Sequence, residues 1–327
     1  MKKQKGFTLI EWMIAMMIGL FIVAGVFSIF SMSKETASDT FEHGELQENG
    51  RTAMNMILRD LQQIGFWGDY TGSILDISNG VSISTTASAI INDCIDDRGG
   101  AAGSFPSANL PLRPVWVSHV ADNGGRDGLS CISNQGLQNN TDILDIKRAN
   151  GFDASNVNDL DDNRFYIAAN PSVLEFFDGS ESTPATSEIK DRRVWEYIRH
   201  IYYITSENNI PRLRMKYLAN DMSSSYEIAQ GIERIRLLLS VDTSYTADGI
   251  SDEYLDPSDI EQRYWDENRV IGAQIFILVR SVNPRANYTN SNSYILGHDE
   301  AYQPNDHYRR ILLQSVIQFN NHSSGQS

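Results

Sequence analysis

The chain has 327 residues, 41% hydrophobic and 21% charged, so most of it has the composition of a cored protein, with room for one large domain or two small ones plus an anchor. Lys plus Arg is 27 against 42 Asp plus Glu, a net −15, and Lys2, Lys3 and Lys5 all lie ahead of Gly6. A chain this acidic repels phosphate backbones, which excludes nucleic-acid binding outside a local basic patch.

The N-terminus runs Met1-Lys-Lys-Gln-Lys-Gly6 and then Phe7-Thr-Leu-Ile-Glu11-Trp12. From Trp12 to Phe30 there is no charge, and Phe7–Ser33 contains one, Glu11. About 20 apolar residues in helical geometry cross a bilayer core. The basic flank predicts a cytoplasmic N-terminus and a periplasmic remainder by the positive-inside rule. An ordinary signal peptide would carry a small-residue cleavage site after its apolar stretch; Ser31-Met32-Ser33-Lys34-Glu35 offers a poor one. Nor does a plain signal anchor account for Glu11, because a carboxylate at membrane depth costs about 2.5–3.5 kcal/mol and needs a partner. Cleavage after Gly6 would supply that partner as a new α-amino group on Phe7.

Lys5-Gly6-Phe7-Thr8-Leu9-Ile10-Glu11 resembles the class III signal of type IV pilins and type II secretion pseudopilins. The resemblance implies cleavage after Gly6 by prepilin peptidase, N-methylation of Phe7 and assembly through Glu11. Major pilins usually carry a helix-kinking proline in the membrane segment. This chain has Ser28 at the corresponding place, its first proline is Pro106, and Trp12 follows the glutamate where a small or aliphatic residue is usual. These departures point away from the abundant fibre subunit.

Beyond the membrane segment, Met54, Ile57, Leu58, Leu61 and Ile64 recur at helical spacing, which predicts one packed face and a helix running to about Ile64. Gly65 is the expected stop, and Gly44 and Gly50 predict a bend or frayed turn in the middle, or else two separate helices. Residues 70–140 read as loop-rich, with Gly, Asn and Asp dense at 97–100 and 123–125. Both cysteines, Cys94 and Cys131, lie in this region. They form no C-x-x-C pair and have no histidine at metal spacing. In the cytosol they would be buried thiols; in the oxidising periplasm they are expected to form one disulfide. Strand signals follow at 142–147, 194–205, 232–241, 270–282 and 311–319. Of these, 231–240 fits a helix equally well. Residues 178–190 and 283–306 are polar and read as surface loops, and no internal repeat is evident.

No nucleophile elbow, H-E-x-x-H pair or phosphate-cradling loop occurs, and the six histidines are scattered, so no enzyme is expected. No cofactor is expected either. One acidic loop, with Asp242, Asp248, Asp252 and Asp256 around Gly249, has the donor type that calcium takes, but its spacing fits no EF-hand and favours a solvated loop.

A second resemblance covers both ends of the chain. Glu48-Asn49-Gly50-Arg51, Met54, Leu58, Arg59-Asp60-Leu61 and Gly65-Phe66-Trp67-Gly68 are similar to the minor pilin PilW family. So is the order Gly231-Ile232-Glu233, the acidic loop, Leu278-Val279-Arg280-Ser281 and Tyr308-Arg309-Arg310. Asp69 stands where that family often has a cysteine, so its disulfide pattern does not carry over. Together the readings imply an α+β pilin-like fold, a long N-terminal helix on antiparallel sheet with a loop-rich insertion. The expected domains are a leader at 1–6, a membrane and assembly half-helix at 7–33, a second half-helix at 34–68 and a periplasmic globular part at 69–327. The implied function is a minor pilin that primes type IV pilus assembly at or near the tip, a role that suits so bulky a globular part. Its implied partners are prepilin peptidase, other minor pilins, the major pilin and a pilus-tip adhesin. It would reside first in the inner membrane, as a single-pass protein, and then in the fibre. A pseudopilin of a type II secretion system, and a membrane-anchored periplasmic enzyme or adhesin, remain the alternatives.

Overall fold

The computed structural model describes residues 6–72, 74–85, 87, 90–95, 103–108, 110–121, 129–155, 160–181 and 189–321. The leader lysines and the glycine-rich stretches at 97–100 and 123–125 lie outside the described residues, as does 182–188 of the expected polar loop. The chain divides into two compact units, Met1–Gln47 and Glu48–Ser327.

The first unit consists almost wholly of helix α1 (Leu9–Gln62), which continues into the second unit. Its opening stretch has a mean hydropathy of 2.6 over an 18-residue window, none of it buried by the chain itself. Phe7, Leu9, Phe21 and Phe27 stand in the open, where hydrocarbon rather than water is the medium that suits them. A helix bonds all its own backbone groups, the condition for lying in a bilayer.

In the second unit the rest of α1 becomes a core element. Ala53, Ile57 and Leu61 are fully buried on one stripe. No break occurs at the glycines: α1 is continuous through both Gly44 and Gly50. Gly50 has a packing reason, since a Cβ there would lie 2.5 Å from Leu313 Cδ1 and 2.9 Å from Val279 Cγ2. The backbone is thereby allowed onto the sheet at a propensity cost of about 1 kcal/mol. The helix stops where expected. Gly65 takes φ +78°, and a side chain there would strike the Asn321 carbonyl.

Two sheets follow. The first contains β1 (Val81–Ile83), β2 (Val115–Val120), β3 (Thr141–Asp153), β4 (Phe165–Ala169), β5 (Leu174–Asp178), β6 (Arg193–Glu207), β7 (Ile210–Tyr217) and β8 (Ser225–Gln230). Its order is β1-β5-β4-β6-β3-β2, with β7 beside the C-terminal half of β6 and β8 outside β7. The second contains β9 (Ile232–Val241), β10 (Glu253–Leu255), β11 (Val270–Arg280) and β12 (Arg310–Gln318), in the antiparallel order β10-β9-β11-β12. A short helix, α2 (Gln262–Asp266), lies between β10 and β11.

The five expected strands are all present, and 232–241 is strand rather than helix. Residues 70–140 are loop-rich among the described residues, as expected, and also contain β1 and β2. The loop at 283–306 is more than surface, since its Tyr294 and Leu296 pack on Leu238, Phe276 and Leu278 and cover part of the second sheet. The sheets are antiparallel as expected, save that β1 pairs with β5 in parallel. Strands β4, β5, β7 and β8 were not foreseen. The β6–β7 hairpin turns on Asn208 and Asn209, whose φ values of 52° and 61° are those of a two-residue turn.

Candidate functional site

The N-terminal segment carries the residues expected to be processed. Gly6 and Phe7 precede the first helical residue and are exposed. A Cβ on Gly6 would meet nothing within 4 Å, so the fold itself makes no demand for glycine there. Thr8 and Glu11 close a reciprocal cap. The Thr8 amide and hydroxyl each donate to Glu11 Oε2 at 2.8 Å, and the Glu11 amide donates to Thr8 Oγ1 at 3.4 Å. This is the capping-box arrangement, in which the third helical residue turns back to satisfy the N-cap amide. Glu11 is therefore held one turn from Phe7, with both bonds on a single carboxylate oxygen.

The motifs from the two ends of the chain meet in the second unit. Gly231, at φ +78°, starts β9. A side chain there would lie 2.5 Å from the Arg280 carbonyl, while the Arg280 amide donates to the Gly231 carbonyl at 2.7 Å. Glu233 accepts a two-pronged ion pair from Arg310, at 2.6 and 2.9 Å, and Arg310 also pairs with Asp306 at 2.7 Å. Arg280 lies over the Tyr308 ring at 4.1 Å, and the Ser281 amide donates to the Arg309 carbonyl at 2.8 Å. With Gly50 against Leu313 and Val279, four separated stretches of sequence thus serve one end of β9, β11 and β12.

Buried charge ties the helix and the disulfide to the first sheet. Asp60, on the last turn of α1, takes Arg148 Nη2 at 2.8 Å, His200 Nδ1 at 2.6 Å and Tyr202 Oη at 2.5 Å. Burial pushes its carboxyl up, but these partners outweigh burial and hold it at about 2. Cys94 and Cys131 form the disulfide, with Cα atoms 4.9 Å apart. Beside it, fully buried Arg199 donates to the Cys94 carbonyl at 2.7 Å, to Asp93 at 2.8 Å and to Asp145 at 2.8 Å. Lys147 shares Asp145 at 3.0 Å, and burial, only partly opposed by that carboxylate, lowers its ammonium to about 8. Neither network was foreseen, because its members are far apart in sequence and only Asp60 fell within a recognised motif.

The acidic loop does not gather its carboxylates. Asp242 accepts the amides of Asp248 and Gly249 at 2.8 Å, Asp252 those of Thr243 and Ser244 at 2.8 and 2.9 Å, and Asp248 that of Ile250 at 2.9 Å. Asp256 turns away to Arg236 at 3.0 Å and His298 at 2.9 Å. Asp242 and Asp252 share the Ser244 amide, at 3.2 and 2.9 Å, so these carboxylates are taken up by backbone turns and Asp256 by ion pairs. Among the described residues no three His, Cys, Asp or Glu side chains are placed to hold a metal.

Residues 201–321 match the family model of type IV pilus-assembly protein W, and residues 1–27 match that of the prokaryotic N-terminal methylation motif. No curated protein and no solved structure matches. The first match spans the end of β6 through β12 and so contains the motif cluster around Gly231, Arg280 and Arg310; the second contains Gly6, Phe7 and Glu11.

Proposed function

We propose that this chain is a type IV pilin-like protein of the PilW family, a minor pilin that primes assembly of the first subunits and stays at or near the pilus tip. The observation that carries this reading is the pairing of an uncovered apolar stretch of α1, charge-free from Trp12 to Phe30 with the single carboxylate Glu11 just ahead of it, with a bulky sheet-rich unit. In this reading prepilin peptidase cuts after Gly6, the Phe7 amine is methylated, and the periplasmic unit is presented to other minor pilins, the major pilin and a tip adhesin. The apolar face of α1 then exchanges lipid for neighbouring helices, a contact driven by close packing rather than by water exclusion.

Glu11 has a defined part. Before assembly its Oε2 serves the helix cap. In the fibre its second oxygen meets the Phe7 amine of an adjacent subunit, where little water screens the pair. Removing the carboxylate strands that amine, the costly way to break such a pair. Glu11→Ala is therefore expected to leave insertion and cleavage intact and to lower both pilus number and the amount of this chain in sheared fibres. Wild-type values for both would reject the assembly role, and absence of the wild-type chain from sheared fibres would reject the pilin reading itself.

A further inference from the structure

The two edges of the second sheet are treated differently. The β9 edge is closed. β10 pairs with Leu239–Val241, and side chains from β3 take the amides further along: Thr141 Oγ1 accepts Ile235 N at 2.9 Å, and Asp142 accepts Leu237 N at 2.8 Å. The β12 edge has no strand beside it among the described residues. The register fixes which groups face outward. Arg309 O and Phe319 N bond inward to Ser281 and Ile271, so the odd-numbered residues pair with β11 and the peptide groups of Leu312, Gln314, Val316 and Gln318 point away from the sheet.

This edge lacks the usual protections. From Ile311 to Phe319 there is no charge, proline or glycine, in a chain that is 21% charged. The β11–β12 register runs unshifted from Gly272 to Arg280. A long, regular, uncharged edge is a template for an added strand, which is why most proteins blunt theirs. A second observation lies on the face carrying Gln314 and Val316. There a cavity of about 380 Å³ opens between β12 and the 249–251 turn, walled by Ile250, Tyr254 and Val316 and lined by Gly272. Ile250 is 64% and Val316 58% exposed, although the other end of this face is covered by Tyr294, Leu296 and Tyr302. Strand addition draws affinity from main-chain bonds and specificity from pockets for alternate side chains, and both are present here.

We propose that β12 receives an extended, uncharged strand from a different pilin-type subunit anchored in the same membrane, with one apolar side chain seated in the cavity beside Val316. The inference rests on the minor-pilin reading. The lack of charge on the edge argues for an uncharged mate, because a charged side chain laid along it would lose hydration with no partner. Geometry argues against a second copy. Antiparallel pairing of two β12 edges requires a twofold axis perpendicular to the sheet. The 48–62 segment of α1 packs on a face of that sheet through Gly50 and so lies along its plane; the twofold would reverse it. Two copies would then enter the paired sheet from opposite ends, whereas subunits tethered by their N-termini to one membrane enter from the same side.

The test uses the full chain in piliated cells. A photocrosslinking amino acid at position 314 is expected to capture a different subunit that carries its own processed pilin N-terminus, identified by mass spectrometry. Gln314→Pro deletes an outward N–H and no bond to β11, which an edge strand tolerates; Gln314→Lys keeps the backbone and adds a gatekeeping charge. Each is expected to abolish a crosslink placed at position 316 and to lower the chain in sheared fibres about tenfold, the worth of roughly one to two net hydrogen bonds. Cleavage at Gly6 and the Cys94–Cys131 bond should be unchanged, which shows that the variants fold. Capture of a second copy, or wild-type incorporation of both variants, would overturn the inference. The minor-pilin reading would survive that result as long as the wild-type chain is in fibres and Glu11→Ala depletes it.

Discussion

Asp60 shows how one carboxylate can join a helix to a sheet. It is 5% exposed and reaches Arg148 on β3 and both His200 and Tyr202 on β6. Asp60→Ala would leave the Arg148 guanidinium buried without its partner, and a loss of about 3–5 kcal/mol is expected in chemical denaturation. The pH dependence has a defined sign. Because the folded carboxyl is held at about 2, below the unfolded value of about 3.9, its contribution is present above about pH 4 and is lost as pH falls through about 2. Asp60→Asn removes that titration. The fall in denaturation midpoint between pH 5 and pH 2 should therefore be shallower in Asp60→Asn than in wild type; parallel curves would show that Asp60 does not titrate in this way.

At the scale of elements, the disulfide segment is held from two directions. The covalent bond joins Cys94 to Cys131 across a separation of 37 residues, and Arg199 on β6 grips the same segment through the Cys94 carbonyl and Asp93. Replacing both cysteines with serine is expected to cost about 2–4 kcal/mol, the usual range for opening such a loop. Arg199 would still hold the segment near β6, so the double variant should fold cooperatively with a lower midpoint. A noncooperative transition would mean that the bond, and not the ion-pair cluster, organises this part of the chain. The start of α1 is arranged for a separate task. The Thr8–Glu11 cap fixes the helix entry, while a side chain at Gly6 ahead of it would meet nothing within 4 Å.

For the molecule as a whole, that open position makes the proposed processing testable without disturbing the fold. Gly6→Val meets no steric conflict in the fold, so the second unit should fold as in wild type, with the same disulfide and the same denaturation midpoint. A β-branched residue at the cleavage junction is nevertheless expected to block removal of the leader, leaving a chain that begins at Met1 and is missing from fibres. Intact-mass measurement on membranes decides it: a Gly6→Val chain beginning at Phe7 would show that glycine is not the recognised feature.

Much of this was readable before any coordinates. The apolar run, the lone Glu11 and the Lys5-Gly6-Phe7 junction are local in sequence, and their physics is local too: hydrocarbon takes apolar side chains, and a carboxylate there must have a partner. The strongest strands were readable for the same reason, since β9, β11 and β12 are dense in Ile, Leu and Val. Strands β4 and β5 are short and flanked by polar turns, and the pairing of β4 with β6 and of β5 with β4 is what makes them strands. The reasons behind the recognised motifs were also tertiary. Gly50 is small because Leu313 and Val279 press on it, and Gly231 because the Arg280 carbonyl does. The acidic loop has calcium's donor type at a spacing that favours a solvated loop, and only the structure shows its carboxylates engaged by backbone amides and Arg236. The sequence by itself determined the long helix, its apolar run and the Lys5-Gly6-Phe7 junction from which anchoring and processing are expected, because those features depend on neighbours along the chain. Which sheet edge is closed and which stays open was decided only by the tertiary structure, because it depends on Thr141 and Asp142 reaching β9 while no described strand reaches the outer edge of β12.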